Sequence, residues 1–350
     1  RPMVAGGHQS EETWSHGTFV SSIIGASGNN QQGIAGINWN VQLMPLPVLD
    51  GDGFGNMPNV IRAIRYAVQQ RVDVINLSLS GSEYSEELEQ AIKMAHDAGV
   101  FVVSAVGNGT EQEGTNLDEM PIYPACMDSG TNAMFGVGGT DTLDQKAPYA
   151  NFGRLCTDLV APAQEFFGAR PSYRRPSDTA STSGNYLDGM TGTSLAAPLV
   201  SGAAALLRSV RPDLTPDQLS DALRNSADPI EANLTIEERG RMGAGRLNVA
   251  AALARVMPSA APSMPLYQVE RPTGALIFSA QVRTGGWRVW TEAGEAKFSA
   301  WATTTQPRAT AVLASPRQWV HKTWDPETNQ VTSAVLWRTE SKLLAPVQAA

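Results

Sequence analysis

Apolar and polar positions follow two rhythms along this chain. Residues 41–49 read as an extended apolar strand. Residues 59–68 switch to the helical period, with Val60, Ile61, Ile64 and Val68 on one face. Residues 72–79 predict a buried strand. Residues 86–98 predict a helix with acids in its first turn and Gly99 as its stop. Residues 100–106 predict the next strand, and 133–137 a further apolar one. This strand–helix–strand succession predicts an α/β fold, a mainly parallel sheet with helices on both faces. Leu195, Leu199, Val200, Ala203, Leu206 and Leu207 mark a helix that is apolar nearly all round, as a buried helix is. Thr215-Pro-Asp-Gln218 opens another helix with a capping box and proline at its first position.

After Met257 the character changes. Residues 258–265 are Pro- and Ser-rich and read as a linker. Beyond them lie six of the eight tryptophans. Residues 275–282, 286–290 and 331–337 have strand character, and 325–329 make a turn. The predicted organisation is one large domain over 1–257 and a small β-rich domain over 266–350. Its tryptophans read as core, with exposed indoles for glycan binding as the alternative.

The 350 residues are 42% hydrophobic and 17% charged, enough to bury a substantial core. The net charge of −8 argues against nucleic acid as a partner, because phosphate binding relies on clustered Lys and Arg. Residues 266–350 carry nine basic and six acidic side chains, so the acidity belongs to the large domain. No apolar run reaches the roughly 20 residues of a membrane helix. Cys126 and Cys156 sit in loop-like positions flanking the 133–137 strand. A disulfide between them fits an extracytoplasmic setting, whereas two buried thiols are the alternative. Their spacing matches no metal-ligand motif.

Three segments carry candidate chemistry. In Gly189-Met-Thr-Gly-Thr-Ser194-Leu-Ala-Ala-Pro198 a serine stands at the first turn of a helix. There it meets unpaired backbone N–H groups and the positive end of the helix dipole. Those donors can hold an oxyanion, and Gly192 lets a substrate backbone approach. A plain N-cap serine is the simpler alternative. In Ser15-His16-Gly17-Thr-Phe-Val20 a histidine is expected just outside a helix opened by Gly17 and Thr18. In Phe101-Val-Val-Ser-Ala-Val-Gly-Asn108-Gly an apolar strand ends in a turn that presents one amide. Each is weak alone; the three in this order are specific.

Together they resemble the subtilisin family of serine proteases. His16-Gly-Thr-x-Val is similar to its histidine motif, Ala105-Val-Gly-Asn108 to its oxyanion asparagine segment, and Gly192-Thr-Ser194-Leu-Ala-Ala-Pro198 to its nucleophile motif. Asp73-Val-Ile-Asn-Leu-Ser-Leu-Ser-Gly81 resembles the strand lining its substrate cleft. The similarity runs from about residue 12 to about residue 256. It implies an endopeptidase in which Ser194 attacks the peptide carbonyl, His16 moves the proton and Asn108 stabilises the oxyanion. It implies that Ser78, Leu79, Ser80 and Gly81 pair with an extended polypeptide substrate, with Gly53, Phe54 and Gly55 as the strand on its other side. Ala105, Val106 and Gly107 are expected to border the pocket for the residue before the cleaved bond, whose small walls suggest an apolar or broad preference. Ser80 stands where the family usually has glycine, and a side chain there is expected to narrow the pocket entrance or to shift preference.

The triad aspartate precedes the histidine in this family. Only fifteen residues precede His16 here and none is an aspartate. Glu11 and Glu12 read as a solvated loop. The expectation is that an N-terminal piece has been removed, and that a separate fragment of the same precursor, as partner, carries the aspartate. The rival reading is a non-catalytic pseudoprotease that binds peptides or regulates a partner. An amidase or esterase using the same constellation is a third. Calcium is the one cofactor the resemblance raises, but the loop of Asn29, Asn30, Gln31 and Gln32 has no acid, and Asp50 and Asp52 read as a solvated turn, so no metal is assigned. Secretion, or another extracytoplasmic setting, is the expected location.

Overall fold

The chain divides into two compact units, Arg1–Met257 and Pro258–Ala350. The computed structural model describes residues 3–4, 11–50, 53–110, 112–127, 132–171 and 185–257 of the first unit, with side chains from residue 15 on, and the backbone of seven strands in the second.

The first unit begins with β1 (Met3–Val4) and α1 (Glu11–Gly25), followed by β2 (Phe54–Gly55) and α2 (Met57–Gln69). Next come β3 (Val74–Leu77), α3 (Glu86–Asp97), β4 (Phe101–Ala105), β5 (Phe135–Thr140) and β6 (Leu159–Pro162). The hairpin β7 (Phe166–Ala169) and β8 (Tyr186–Met190) leads into α4 (Thr193–Val210), then α5 (Pro216–Arg224) and α6 (Val249–Val256).

The central sheet runs β3-β4-β5-β6, and every pairing is parallel. β4 is buried along its whole length. Its successive side chains point to opposite faces. Phe101, Val103 and Ala105 join a core with α4, α5 and α6, while Val102 joins a second core with α2 and α3. Helices therefore cover both faces, as the sequence periodicities predict.

Local signals set the boundaries. α2 starts at Met57, two residues before the expected start, and Asn56 caps it by accepting from the Asn59 N–H at 3.0 Å. Ser85 caps α3 by accepting from the Leu88 N–H at 3.2 Å. The capping box at Thr215 and Gln218 forms as expected.

Residues 41–49 are a correction. They form no strand, because nothing among the described residues pairs with them in a ladder beyond a bridge from Leu49 to Gly55. Leu46, Val48 and Leu49 still pack on the core of α2, α3 and β3, so the apolar pattern reported burial and not pairing.

The direction of α4 fixes where the site lies. In its last turn, Arg208 donates to Asp73 O at 2.7 Å and Gly99 O at 2.6 Å, just ahead of β3 and β4. α4 thus runs antiparallel to those strands, and its N-terminus lies at their carboxyl ends. That is the end where open α/β sheets place ligands.

The second unit holds β9 (Tyr267–Glu270), β10 (Leu276–Arg283), β11 (Gly286–Arg288), β12 (Lys297–Ser299), β13 (Arg308–Ser315), β14 (Gln318–Asp325) and β15 (Gln330–Trp337). They form one antiparallel sheet in the order β11-β10-β9-β12-β13-β14-β15. The linker over 258–265, the turn after Asp325 and the surroundings of the tryptophans lie outside the described residues.

Candidate active site

Asn108 follows β4 through a sharp turn. Gly107 adopts φ +77°, a left-handed backbone that favours glycine. Buried Asn151 holds this turn: its Nδ2 donates to Val106 O at 3.1 Å and its backbone N–H to Gly107 O at 3.1 Å. Gly109 N–H donates to Tyr149 O at 2.8 Å on the far side. The Asn108 side chain is therefore carried on a braced loop.

Ser194 is the second residue of α4, so its backbone N–H is among those without a partner inside the helix. The helix start is anchored by Gly192 N–H donating to Ala163 O at 2.9 Å, just after β6. Asn108 Oδ1 accepts from both the backbone N–H and the hydroxyl of Thr193, each at 3.1 Å. Only the carbonyl end of the amide can accept from an N–H, so Nδ2 is turned the other way.

Gly192 sits at φ +148°. A methyl group built on it would lie 3.4 Å from Asn108 Nδ2 and 3.9 Å from Ser194 N, with no other atom beyond its immediate chain neighbours within 4 Å. Two N–H donors thus border one small open space at the positive end of α4. An oxygen that gains negative charge there would meet both.

His16 is reached through α1. The helix starts five residues before the imidazole and not after it, which corrects the expectation that Gly17 and Thr18 open it. Glu11 and Glu12 are its first two residues and not a loop. The sequence signal at Gly17 misled because the helix runs through that glycine. His16 lies three, four and seven residues before Phe19, Val20 and Ile23, hence on one face with them. Those three pack with Leu195 and Met190. The His16 face of α1 is thereby directed to the first turn of α4. Burial pushes the His16 pKa down from 6.5 to about 4. Desolvation is the whole cause, with no contribution from a carboxylate among the described residues.

Ser78, Leu79, Ser80 and Gly81 follow β3 at the same sheet end. Gly81 exchanges two backbone hydrogen bonds with Tyr123, both 2.8 Å. Ala105 ends β4, and Gly107 faces Ser80: a Cβ on Gly107 would come within 3.3 Å of Ser80 Oγ and 2.5 Å of Ile122 Cδ1. Ile122 thus closes the space between the two strand ends together with Ser80. Sequence reading missed it, because an isoleucine between Pro121 and Tyr123 carries no chemical signal.

The other predicted cleft strand differs from expectation. Gly53 precedes β2, and Phe54 and Gly55 pair antiparallel with Val4 and Met3. The opposite edge is taken by Asp50, whose N–H donates to Phe54 O at 2.7 Å, and by the bridge from Leu49 to Gly55. Both edges of β2 are paired, so a peptide adds to Gly53, Phe54 and Gly55 only after displacing Met3 and Val4. A surface cavity of about 450 Å³ lies on this strand, lined by Val48, Leu49, Asp50, Phe54 and Asn59, well apart in sequence from the Ser194 helix.

Cys126 and Cys156 form a disulfide with Cα atoms 4.5 Å apart. Cys126 N–H donates to Ile122 O at 3.0 Å, so the crosslink steadies the segment that carries Ile122. Among the described residues no three His, Cys, Asp or Glu side chains cluster as metal ligands. In the loop of Asn29 to Gln32 the Asn30 amide oxygen accepts from the Gln32 N–H at 3.0 Å, and the loop itself contributes no carboxylate of the kind calcium favours. α4 is apolar and long enough to cross a membrane by composition alone, yet 67% of it is buried within the protein, as a core helix is.

Comparison with known proteins gives the family of the chain. The model of the subtilase family matches residues 4–268. Subtilisin DY of Bacillus licheniformis is 32% identical over 237 residues, covering 68% of this chain and 77% of that protein. The major intracellular serine protease of Bacillus subtilis strain 168 is 35% identical over 208 residues, 59% of each. Among solved structures, a protease from Pseudoalteromonas arctica PAMC 21717 superposes with a TM-score of 0.57 at 29% identity, covering 69% of this chain and 70% of that one.

Proposed function

The chain belongs to the subtilase family as a subtilisin-like serine protease, and on that premise we propose that it hydrolyses peptide bonds in extended polypeptides through an acyl-enzyme on Ser194. The observation that carries this reading is the open space at Gly192, bordered by Asn108 Nδ2 and the Ser194 N–H. A tetrahedral intermediate places its oxyanion there as the Ser194 hydroxyl adds to the carbonyl carbon. His16 takes the hydroxyl proton and returns it to the leaving amine; water then repeats the sequence on the acyl-enzyme. The backbone after β3, from Ser78 to Gly81, holds the substrate as an added strand.

The reading includes a triad carboxylate brought to His16 from outside the described residues. What supports it is the His16 imidazole, which is desolvated and receives no carboxylate from the described residues. Without that carboxylate the wrong tautomer of His16 is favoured and turnover falls by about 10⁴. The Cys126–Cys156 crosslink supports an extracytoplasmic location.

Hydrolysis of an unstructured polypeptide, measured for the chain and for Ser194→Ala, tests the proposal. Loss of all cleavage in Ser194→Ala is expected. Peptide binding without any cleavage, with or without an added N-terminal segment, would establish the pseudoprotease instead.

A further inference from the structure

α4 contains a proline at its sixth residue, Pro198. In a regular helix the N–H of residue 198 would donate to the carbonyl of residue 194. Proline has no N–H, and its ring also crowds that carbonyl. The backbone oxygen of Ser194 is therefore deprived of its helical partner by the sequence of the motif itself. Ser78 fills the gap: its hydroxyl donates to Ser194 O at 2.8 Å.

The direction of this bond follows from chemistry. A carbonyl oxygen can only accept, so Ser78 must use its single proton on Ser194 O. Its remaining role is to accept, and it does so from Asn76 Nδ2 at 2.9 Å. That turns Asn76 Oδ1 toward Ser201, whose hydroxyl donates to it at 2.8 Å. Ser201 lies seven residues after Ser194 on the same face of α4. The chain Ser201, Asn76, Ser78, Ser194 leaves the helix, crosses to the end of β3 and returns to the helix at the carbonyl that Pro198 leaves without a helical partner. Ser78 and Ser201 are both buried, so water does not compete for these bonds.

From this we infer that Ser78 is a positioning residue for the nucleophile, its hydroxyl standing in for the helix hydrogen bond that Pro198 removes. This rests on the reading of Ser194 as nucleophile and adds a side-chain role to a residue whose backbone faces the substrate. The bond fixes the carbonyl of the residue that bears the reacting hydroxyl. Its loss would let the first turn of α4 drift and misplace Ser194 relative to Asn108 and His16.

The test is a double-mutant cycle on the full chain with Ser78→Ala, Pro198→Ala and the pair, reading the second-order rate of Ser194 modification by a fluorophosphonate. Ser78→Ala is expected to slow modification about tenfold, the scale of one hydrogen bond. Ser78→Thr, which keeps the hydroxyl, should lose clearly less rate than Ser78→Ala. Pro198→Ala supplies a backbone N–H to Ser194 O, so it should recover most of the loss when combined with Ser78→Ala. The same cycle in thermal unfolding should show the same compensation. Additive losses in both measurements, or no effect of Ser78→Ala in either, overturn the inference. Failure of the unmodified chain to react with the reagent counts against Ser194 as nucleophile, while the unfolding cycle still decides whether Ser78 replaces the missing bond.

Discussion

Asn108 Oδ1 accepts the backbone N–H of Thr193 at 3.1 Å, and this one contact joins the loop after β4 to the first turn of α4. It orients the amide, so Nδ2 and the Ser194 N–H border the same space. Replacing Asn108 by alanine removes one oxyanion donor and the loop-to-helix tie together. Turnover should fall about 10²–10³-fold, the scale established in subtilisin for loss of one such donor, with a small change in KM. Steady-state kinetics on one peptide substrate checks it.

His16 gives a pH prediction with a definite sign. Its pKa in the folded chain is about 4, below the ordinary 6.5, because burial disfavours the imidazolium. The unfolded chain binds a proton near pH 6.5, before the folded one does. The contribution of His16 to stability is thus complete above 6.5 and is lost progressively as pH falls to about 4. NMR titration, with only four histidines to resolve, should show one imidazole titrating near 4, absent in His16→Ala. Adding a segment that brings a carboxylate to the ring should raise that value.

Ile122 and Ser80 predict a preference. Both reach the point beside Gly107 where the side chain before the scissile bond would lie. Peptides with alanine there should be cleaved faster than those with phenylalanine. Ile122→Ala combined with Ser80→Gly should shift the ratio toward phenylalanine about 10–200-fold, as removed methylenes in a pocket do. The kcat/KM ratio for the two peptides is the readout.

The Cys126–Cys156 bridge closes a loop over a sequence separation of 30. On the loop-entropy estimate its removal by Cys126→Ala/Cys156→Ala should cost about 3–4 kcal/mol in denaturant unfolding. Because Cys126 also bonds Ile122 O, the variant should discriminate less well between alanine and phenylalanine peptides.

Much of this was legible in the residues. The buried strand Phe101–Ala105, the capping box at Thr215 and the helix after Ser194 follow from short-range rules that the packing respects. Asn108 and Ser194 announce themselves through glycines at turns. Other parts depend on partners distant in sequence. The extended stretch before Leu49 reads as a strand because apolarity signals burial, but a ladder needs a neighbour. The pairing of Phe54–Gly55 with Met3–Val4, and the approach of Ile122 to Gly107, join positions that no local pattern connects. The roles of Ser78 and Pro198 were hidden in the same way: one removes a donor and the other supplies it 120 positions away in the chain.

The most direct measurement is intact mass and peptide mapping after treatment with a fluorophosphonate. A single adduct on Ser194 is predicted, absent in Ser194→Ala, strongly slowed in His16→Ala, and formed faster when a polypeptide carrying the N-terminal carboxylate is supplied. No adduct under any of these conditions, or an adduct that persists in Ser194→Ala, would contradict the account.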